Sequence, residues 1–384
     1  MQRSSERILT THAGSLPRPD DVLEMLRARR GGELFERRVR KAVAEIVRQQ
    51  RAHGLDVVDD GEVSKPSFVT YATERLGGLT TRPSEPVSTF AGSREYLAFP
   101  EFYAMAGGPS PGGVGRDRPT QTVCTGPISY TGHDAVKRDV ENLKAAVAGS
   151  GAVEAFLPAI SPSNVQAYIV NENYASEEEF QVAIADALHE EYKAIADAGL
   201  LVQIDDPRLV TQYIRDPSLS LEQCRAWAER HVEILNHALR GIPEDRIRFH
   251  TCYSINMGPR VHDMQLKDIV DVILKIRAGA YSFEAANPRH EHEWQVWETV
   301  MLPEDKVLIP GVITQSTVLV EHPTLVAQRL ARFASIVGRE RVIAGADCGF
   351  ATFAGSTEIH PTVAWAKLDA LVEGARLASA RLWT

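Results

Sequence analysis

Cysteine is scarce in this chain: four residues, at positions 124, 224, 252 and 348 of 384, too few for a disulfide framework at this length. Reduced thiols and a metal suit that number better, with Cys124 and Cys224 read as buried structural thiols. A basic excess is missing as well. The formal net charge is -9 and the pI near 5.8, which argues against a broad nucleic-acid-binding face. No stretch approaches the roughly 18 consecutive apolar residues of a membrane span, and the opening MQRSSERILTTHAGS lacks the apolar core of a signal peptide. A cytoplasmic location is therefore expected, with neither membrane nor nucleic acid as partner.

What is present is ordinary for a globular protein, with 44% apolar and 24% charged residues. The chain alternates short apolar runs with helical periodicity, the grammar of an α/β fold built from a parallel sheet. Helices are expected at 34–53, 133–148, 221–240, 262–278, 324–337 and 361–382. Another should follow Ser176 as N-cap, with Glu179 as its capping-box partner. Nine candidate strands compete for eight places in a single (β/α)8 barrel of the TIM type. They include ILTTHAGS, LDVVDDGE, TVCTGP and VEAFLPAISP, and the run at 152–160 has the weakest claim. Residues 79 to about 120, with GGPSPGGVG, read as a long Gly/Pro-rich excursion from the barrel rather than a second domain. On this reading 1–384 is one elaborated catalytic barrel.

Three apolar runs end in metal-ligand chemistry: RFHTCYS with His250 and Cys252, YSFEAANP with Glu284, and IAGADCGF with Cys348. Side chains two apart on a strand share a face, so His250 and Cys252 can hold one ion. Imidazole, thiolate and carboxylate together suit Zn2+, and two thiolates favour it over magnesium or calcium. Any one of these residues alone reads as a buried Cys or a satisfied core His; the joint pattern carries the inference. A charged stretch, PRHEHEWQVWE, brings His290 and His292 together, and a solvated loop at a barrel mouth accounts for it better than a second metal site.

The segments THAGSLPRP, DDGEVSKPSF, CTGPISY, QIDDPRL, HTCYS, SFEAANP and GADCGF resemble, in the same order, the motifs of the catalytic barrel of cobalamin-independent methionine synthases. Within that superfamily the chain is similar to the short single-barrel members, a group that includes epoxyalkane:coenzyme M transferase. The resemblance implies a zinc site of His250, Cys252, Glu284 and Cys348. It also implies a pocket for the amino-acid end of homocysteine from Ala13, Gly14 and Ser15, and contacts to its amine from Glu62 and Asp205. Asp205 and Asp206 point to opposite faces of a strand, so only one of them faces a substrate.

The departures concern the donor. Thr211 stands where the family has a folate-binding acid, Ser316 near the place of its proton-donating His, and Tyr168 in the region of its folate-stacking Trp. The expected function is thus a zinc-dependent methyltransferase acting on the thiol of homocysteine or a similar small thiol, with the methyl donor left open. The alternative is an epoxyalkane:coenzyme M transferase-like alkylation; a sulfonate pocket should want Arg or Lys, and Lys65 and Arg18 lie near the relevant motifs. A noncatalytic barrel with structural zinc comes third, because structural sites draw on ligands close in sequence. The sequence leaves the oligomeric state open.

Overall fold

Runs buried on both faces belong in a parallel sheet covered by helices, and that is where the chain places them. The computed structural model describes residues 1–84, 91–104, 120–253, 258–355 and 359–384. Its strands are β1 (Leu9–Thr10), β2 (Val57–Val58), β3 (Leu76–Pro83), β4 (Thr120–Tyr130), β5 (Glu154–Ile160), β6 (Ile169–Asn171), β7 (Leu201–Asp205), β8 (Ile247–Thr251), β9 (Ala280–Phe283), β10 (Val307–Ile313) and β11 (Ile343–Ala346). Eight form one sheet in the order β1-β11-β10-β9-β8-β7-β5-β2, with parallel pairing throughout. The two end strands meet through Asp56 N–H to the Thr10 carbonyl, 3.0 Å, and the Thr11 hydroxyl to the Val57 carbonyl, 3.0 Å. The result is a nearly closed (β/α)8 barrel.

The run at 152–160, the weakest candidate by sequence, supplies β5, whereas TVCTGP leaves the barrel. Burial explains the exchange: β5 is buried at every position after Glu154, while β4 is buried only at Val123, Cys124 and Tyr130 and is otherwise exposed or half-buried. A half-solvated strand suits an antiparallel ribbon. Accordingly β4 pairs antiparallel with β3 and parallel with β6 in a three-stranded side sheet. The excursion expected at 79–120 runs from β3 to β4; it contains the short helices Arg94–Ala98 and Pro100–Ala104, and its residues 85–90 and 105–119 lie outside the described residues.

Helices Glu33–Ala52, His133–Val147, Glu177–Asp197, Leu221–Ala238, Pro323–Val337 and Pro361–Leu382 match the expected ones closely. Ser176 caps its helix by accepting from Glu179 N–H, and Ser220 with Gln223 forms a full capping box. The long helix expected at 262–278 shrinks to a 3-10 turn, Leu266–Asp268, and one turn, Val270–Ile273. The Leu266 N–H, which a helix would use internally, goes instead to Glu293, and the His262 N–H ahead of it goes to Glu95. Among the described residues, no helix is long and apolar enough to cross a membrane.

Candidate metal and substrate site

The C-terminal ends of the barrel strands converge on one cavity of about 950 Å³, the rim where such barrels carry their chemistry. His250 is the penultimate residue of β8 and Cys252 lies just past its end; Cys348 lies just beyond β11. Their ligand atoms lie within 4.8 Å of one another, with the two sulfurs 3.3 Å apart. All three residues are buried. Nδ1 of His250 meets the Ser282 hydroxyl at 3.0 Å, which fixes the ring and leaves Nε2 for an ion. Burial, aided by Arg248, lowers the His250 pKa to about 3, so the imidazole is neutral, as a ligand must be.

Glu284, the fourth expected ligand, stands outside this trio. Its carboxylate accepts Tyr253 N–H, Arg260 Nη2 and Asn287 Nδ2, each at 2.7 Å. The next loop is tied in by Asp347, which accepts Ala285 and Ala286 N–H at 2.8 and 2.9 Å. Burial, then the Glu284 charge, pushes the Asp347 carboxyl up to about 6.

The expected substrate residues do come together. Ala13, Ser15, Glu62 and Asp205 line the same cavity as the trio. Gly14 borders it with φ +138, and a Cβ there would lie 3.0 Å from Glu62 Oε1, so the turn favours glycine. Glu62 is 3% exposed and its Oε2 has no hydrogen-bond partner. Asp205 accepts Gln203 Nε2 at 2.8 Å; burial first, and the charge of Glu62 next, hold its carboxyl well above the usual range. Two carboxylates short of positive partners, on a cavity wall, make a seat for a cation. Asp206 points away into Ser163 and Asn164. The Ser15 turn is fastened to the cysteine loop through Phe350 N–H to the Ser15 carbonyl, 2.9 Å.

The donor-side residues divide. Tyr168 lines the cavity. Thr211 gives its hydroxyl to the Pro207 carbonyl and Ser316 pairs with Thr314; neither lines the cavity. Lys65 donates to the Pro158 carbonyl, and Arg18 to the carbonyls of Ala351, Glu62 and Lys65, so both cations are spent on backbone. His290 is sandwiched between Asp263 and Glu293, which, against its burial, hold its pKa up at about 9, while His292 is exposed. Together these two form no metal pair.

Sequence reasoning missed the supports: Arg260, Asn287, Ser282 and Asp347. It also missed the outer wall of the cavity, with Leu26, Phe35, Phe68 and Phe353. Asp347 sits inside the GADCGF motif, and Ser282 and Asn287 inside SFEAANP, so of the supports Arg260 alone lies outside the quoted motifs.

Known proteins agree with this architecture. The family described as "Cobalamin-independent synthase, Catalytic domain" matches residues 8–160 and 159–375. A "Methionine synthase" of Saccharolobus solfataricus is 23% identical over 96% of this chain and 94% of its own length. A "5-methyltetrahydropteroyltriglutamate–homocysteine methyltransferase" of Thermotoga petrophila is 23% identical over 89% of this chain, which spans only 41% of that longer protein. Among solved structures, a B12-independent methionine synthase from Shewanella in complex with selenomethionine superposes with a TM-score of 0.73 at 19% identity, covering 98% of this chain and 99% of the other. At that identity the likeness concerns the fold.

Proposed function

Because the chain belongs to the cobalamin-independent synthase catalytic-domain family, we propose that it transfers a methyl group to the thiol of homocysteine, using Zn2+ held by His250, Cys252 and Cys348. The observation that carries the reading is the shared cavity: a His/Cys/Cys trio at one end and the under-partnered carboxylates of Glu62 and Asp205 beside it. A ligand with a thiol and an ammonium group matches both. Bound Zn2+ would favour loss of the thiol proton, which a free thiol with pKa about 8.5 largely keeps at neutral pH.

The chain's own residues supply the rest. Glu62 and Asp205 seat the ammonium, and the Ser15 turn sits beside the carbon skeleton. The sulfur then attacks the donor's methyl carbon in line: the S–C bond forms, the donor's bond to methyl breaks with its electron pair going to the donor's leaving atom, and that atom takes up a proton from solvent in place of the one the thiol gave up. The donor occupies the outer cavity between Phe35, Phe68, Phe353 and Tyr168. Residues 1–384 act as one catalytic barrel with the excursion at 79–120. The ligand pair requires a reducing compartment such as the cytoplasm, because a Cys252–Cys348 disulfide would remove both thiolates.

The coenzyme M alternative loses support, since Lys65 and Arg18 are bound to backbone carbonyls rather than turned to the cavity. The test is product analysis: the zinc-loaded chain, homocysteine and a panel of methyl donors headed by 5-methyltetrahydropteroylglutamates should yield methionine. Turnover of coenzyme M with an epoxide, and none of homocysteine with any donor, would sink the proposal.

A further inference from the structure

We infer that Gln203 is a positioning residue for the amino-acid end of the substrate, its amide nitrogen joining the Asp205 carboxylate to the Ala13 carbonyl and so biasing the site toward thiols that carry an α-amino group. The inference rests on the reading of Glu62 and Asp205 as the ammonium seat. Gln203 and Asp205 stand two apart on β7 and share a face. Gln203 is 0% exposed, behind the cavity wall that Asp205 and Ala13 line. Its Nε2 donates to the Ala13 carbonyl at 2.5 Å and to Asp205 Oδ1 at 2.8 Å. A carbonyl can only accept, so the end of the amide that meets Ala13 is the nitrogen, and both of its hydrogens are used.

One nitrogen thereby spans the two halves of the seat. On one side it fixes Oδ1 of Asp205, which leaves Oδ2 to meet the ammonium. On the other it holds the Ala13–Gly14 peptide, whose N–H is taken by Nδ1 of His12 at 3.2 Å. Because Nδ1 accepts, Nε2 of the His12 ring carries the proton and donates to Gln50 Oε1 at 2.8 Å. The peptide is gripped at both ends where Gly14 takes φ +138 and the chain turns into Ser15. Stability alone does not account for an amide at this position. Among the described residues its Oε1 meets no donor, and a buried acceptor left unpaired is unfavourable. A Met side chain would fill a similar length with no such oxygen. What the amide adds is the pair of bonds from its nitrogen.

The test compares zinc-loaded, full-length wild type, Gln203→Met, Asp205→Asn and the double variant. Calorimetry gives Kd for homocysteine and for 1-propanethiol, the same skeleton without amine or carboxylate. Gln203→Met should weaken homocysteine about 10-fold, the size of one hydrogen bond to a charged group, and leave propanethiol within about twofold. With the donor found by product analysis, the loss should appear in KM for homocysteine, with kcat within about twofold. Since Gln203 acts partly through Asp205, the loss in the double variant should fall short of the product of the two single losses, by about 3- to 10-fold. Equal losses for the two thiols, wild-type affinity in Gln203→Met, a loss in kcat alone, or single losses that simply multiply would each overturn the inference. Should Gln203→Met fail to fold, Gln203→Glu, equal in size and able to supply at most one of the two hydrogens, decides by the same constants. Wild type that binds homocysteine no more tightly than propanethiol would instead overturn the ammonium seat itself.

Discussion

Asp205→Asn separates recognition of the amine from every other feature of the site. The substitution keeps the shape at the end of β7 and the possibility of a bond with Gln203, which lies 2.8 Å away. It removes one of the two carboxylates proposed to seat the ammonium. A hydrogen bond to a charged group contributes about 1.5–3 kcal/mol, and about 1.4 kcal/mol is tenfold, so kcat/KM for homocysteine should fall about 10- to 150-fold. The control substrate is 4-mercaptobutanoate, which keeps the thiol and carboxylate but has no amine. Its kcat/KM should change by no more than about twofold, the scale of substitutions that remove no contact. The pH dependence carries the same sign. Asp205 titrates well above the usual carboxylate range, so affinity for homocysteine should weaken as pH falls through that raised pKa, where the carboxyl becomes neutral. In Asp205→Asn that limb of the profile should flatten. Equal losses for the two thiols, or an unaltered acid limb, would refute the seat for the ammonium.

Cys252→Ala and Cys348→Ala should each lose zinc and methyl transfer together, measured as metal content and initial rate; full turnover without metal would contradict the site. Gly349→Ala would set a Cβ 2.1 Å from Ser15 Oγ. The resulting overpacking should cost about 1–3 kcal/mol of stability and raise KM for homocysteine; wild-type values of both would show that the two loops move freely apart. Asp206 is pushed up to about 6 from an ordinary 3.8, mainly by burial. Its folded-state pKa is raised, so the native state holds the proton more tightly and stability is lost as pH rises from about 4 to 6, by about 3 kcal/mol in total. In Asp206→Asn the fall in Tm over that window should be smaller than in wild type, and an equal fall would place the titration elsewhere.

Much of the site was legible because strand grammar is local. His250 and Cys252 share a face by period-two spacing, and an apolar run that stops at polar residues marks a barrel rim. Nothing local distinguished β4 from β5: both contain a short apolar run, and only the buried flanks of β5 against the half-solvated flanks of β4 decide which strand enters the barrel. The segment after Cys252 read as helix from its apolar spacing, yet acids distant in sequence, Glu95 and Glu293, claim its N–H groups. Glu284 shows the same limit at the site itself. Its place at the end of β9 was evident and Asn287 lies in its own motif, but its other two donors, Tyr253 N–H and Arg260, come from the segment after β8, a meeting no sequence window contains.

The central claim, that one cavity holds both a thiol-binding metal and an amine seat, is tested most directly by calorimetry. Homocysteine and 2-aminobutyrate, the same amino acid without its sulfur, are titrated into zinc-loaded and zinc-free protein in buffers of different ionisation enthalpy. Binding of homocysteine to the zinc protein should release about one proton more than binding of 2-aminobutyrate, because a thiol must be deprotonated to bind the metal. That excess should vanish when zinc is removed. Proton release equal for the two ligands, or unchanged without zinc, would contradict the account.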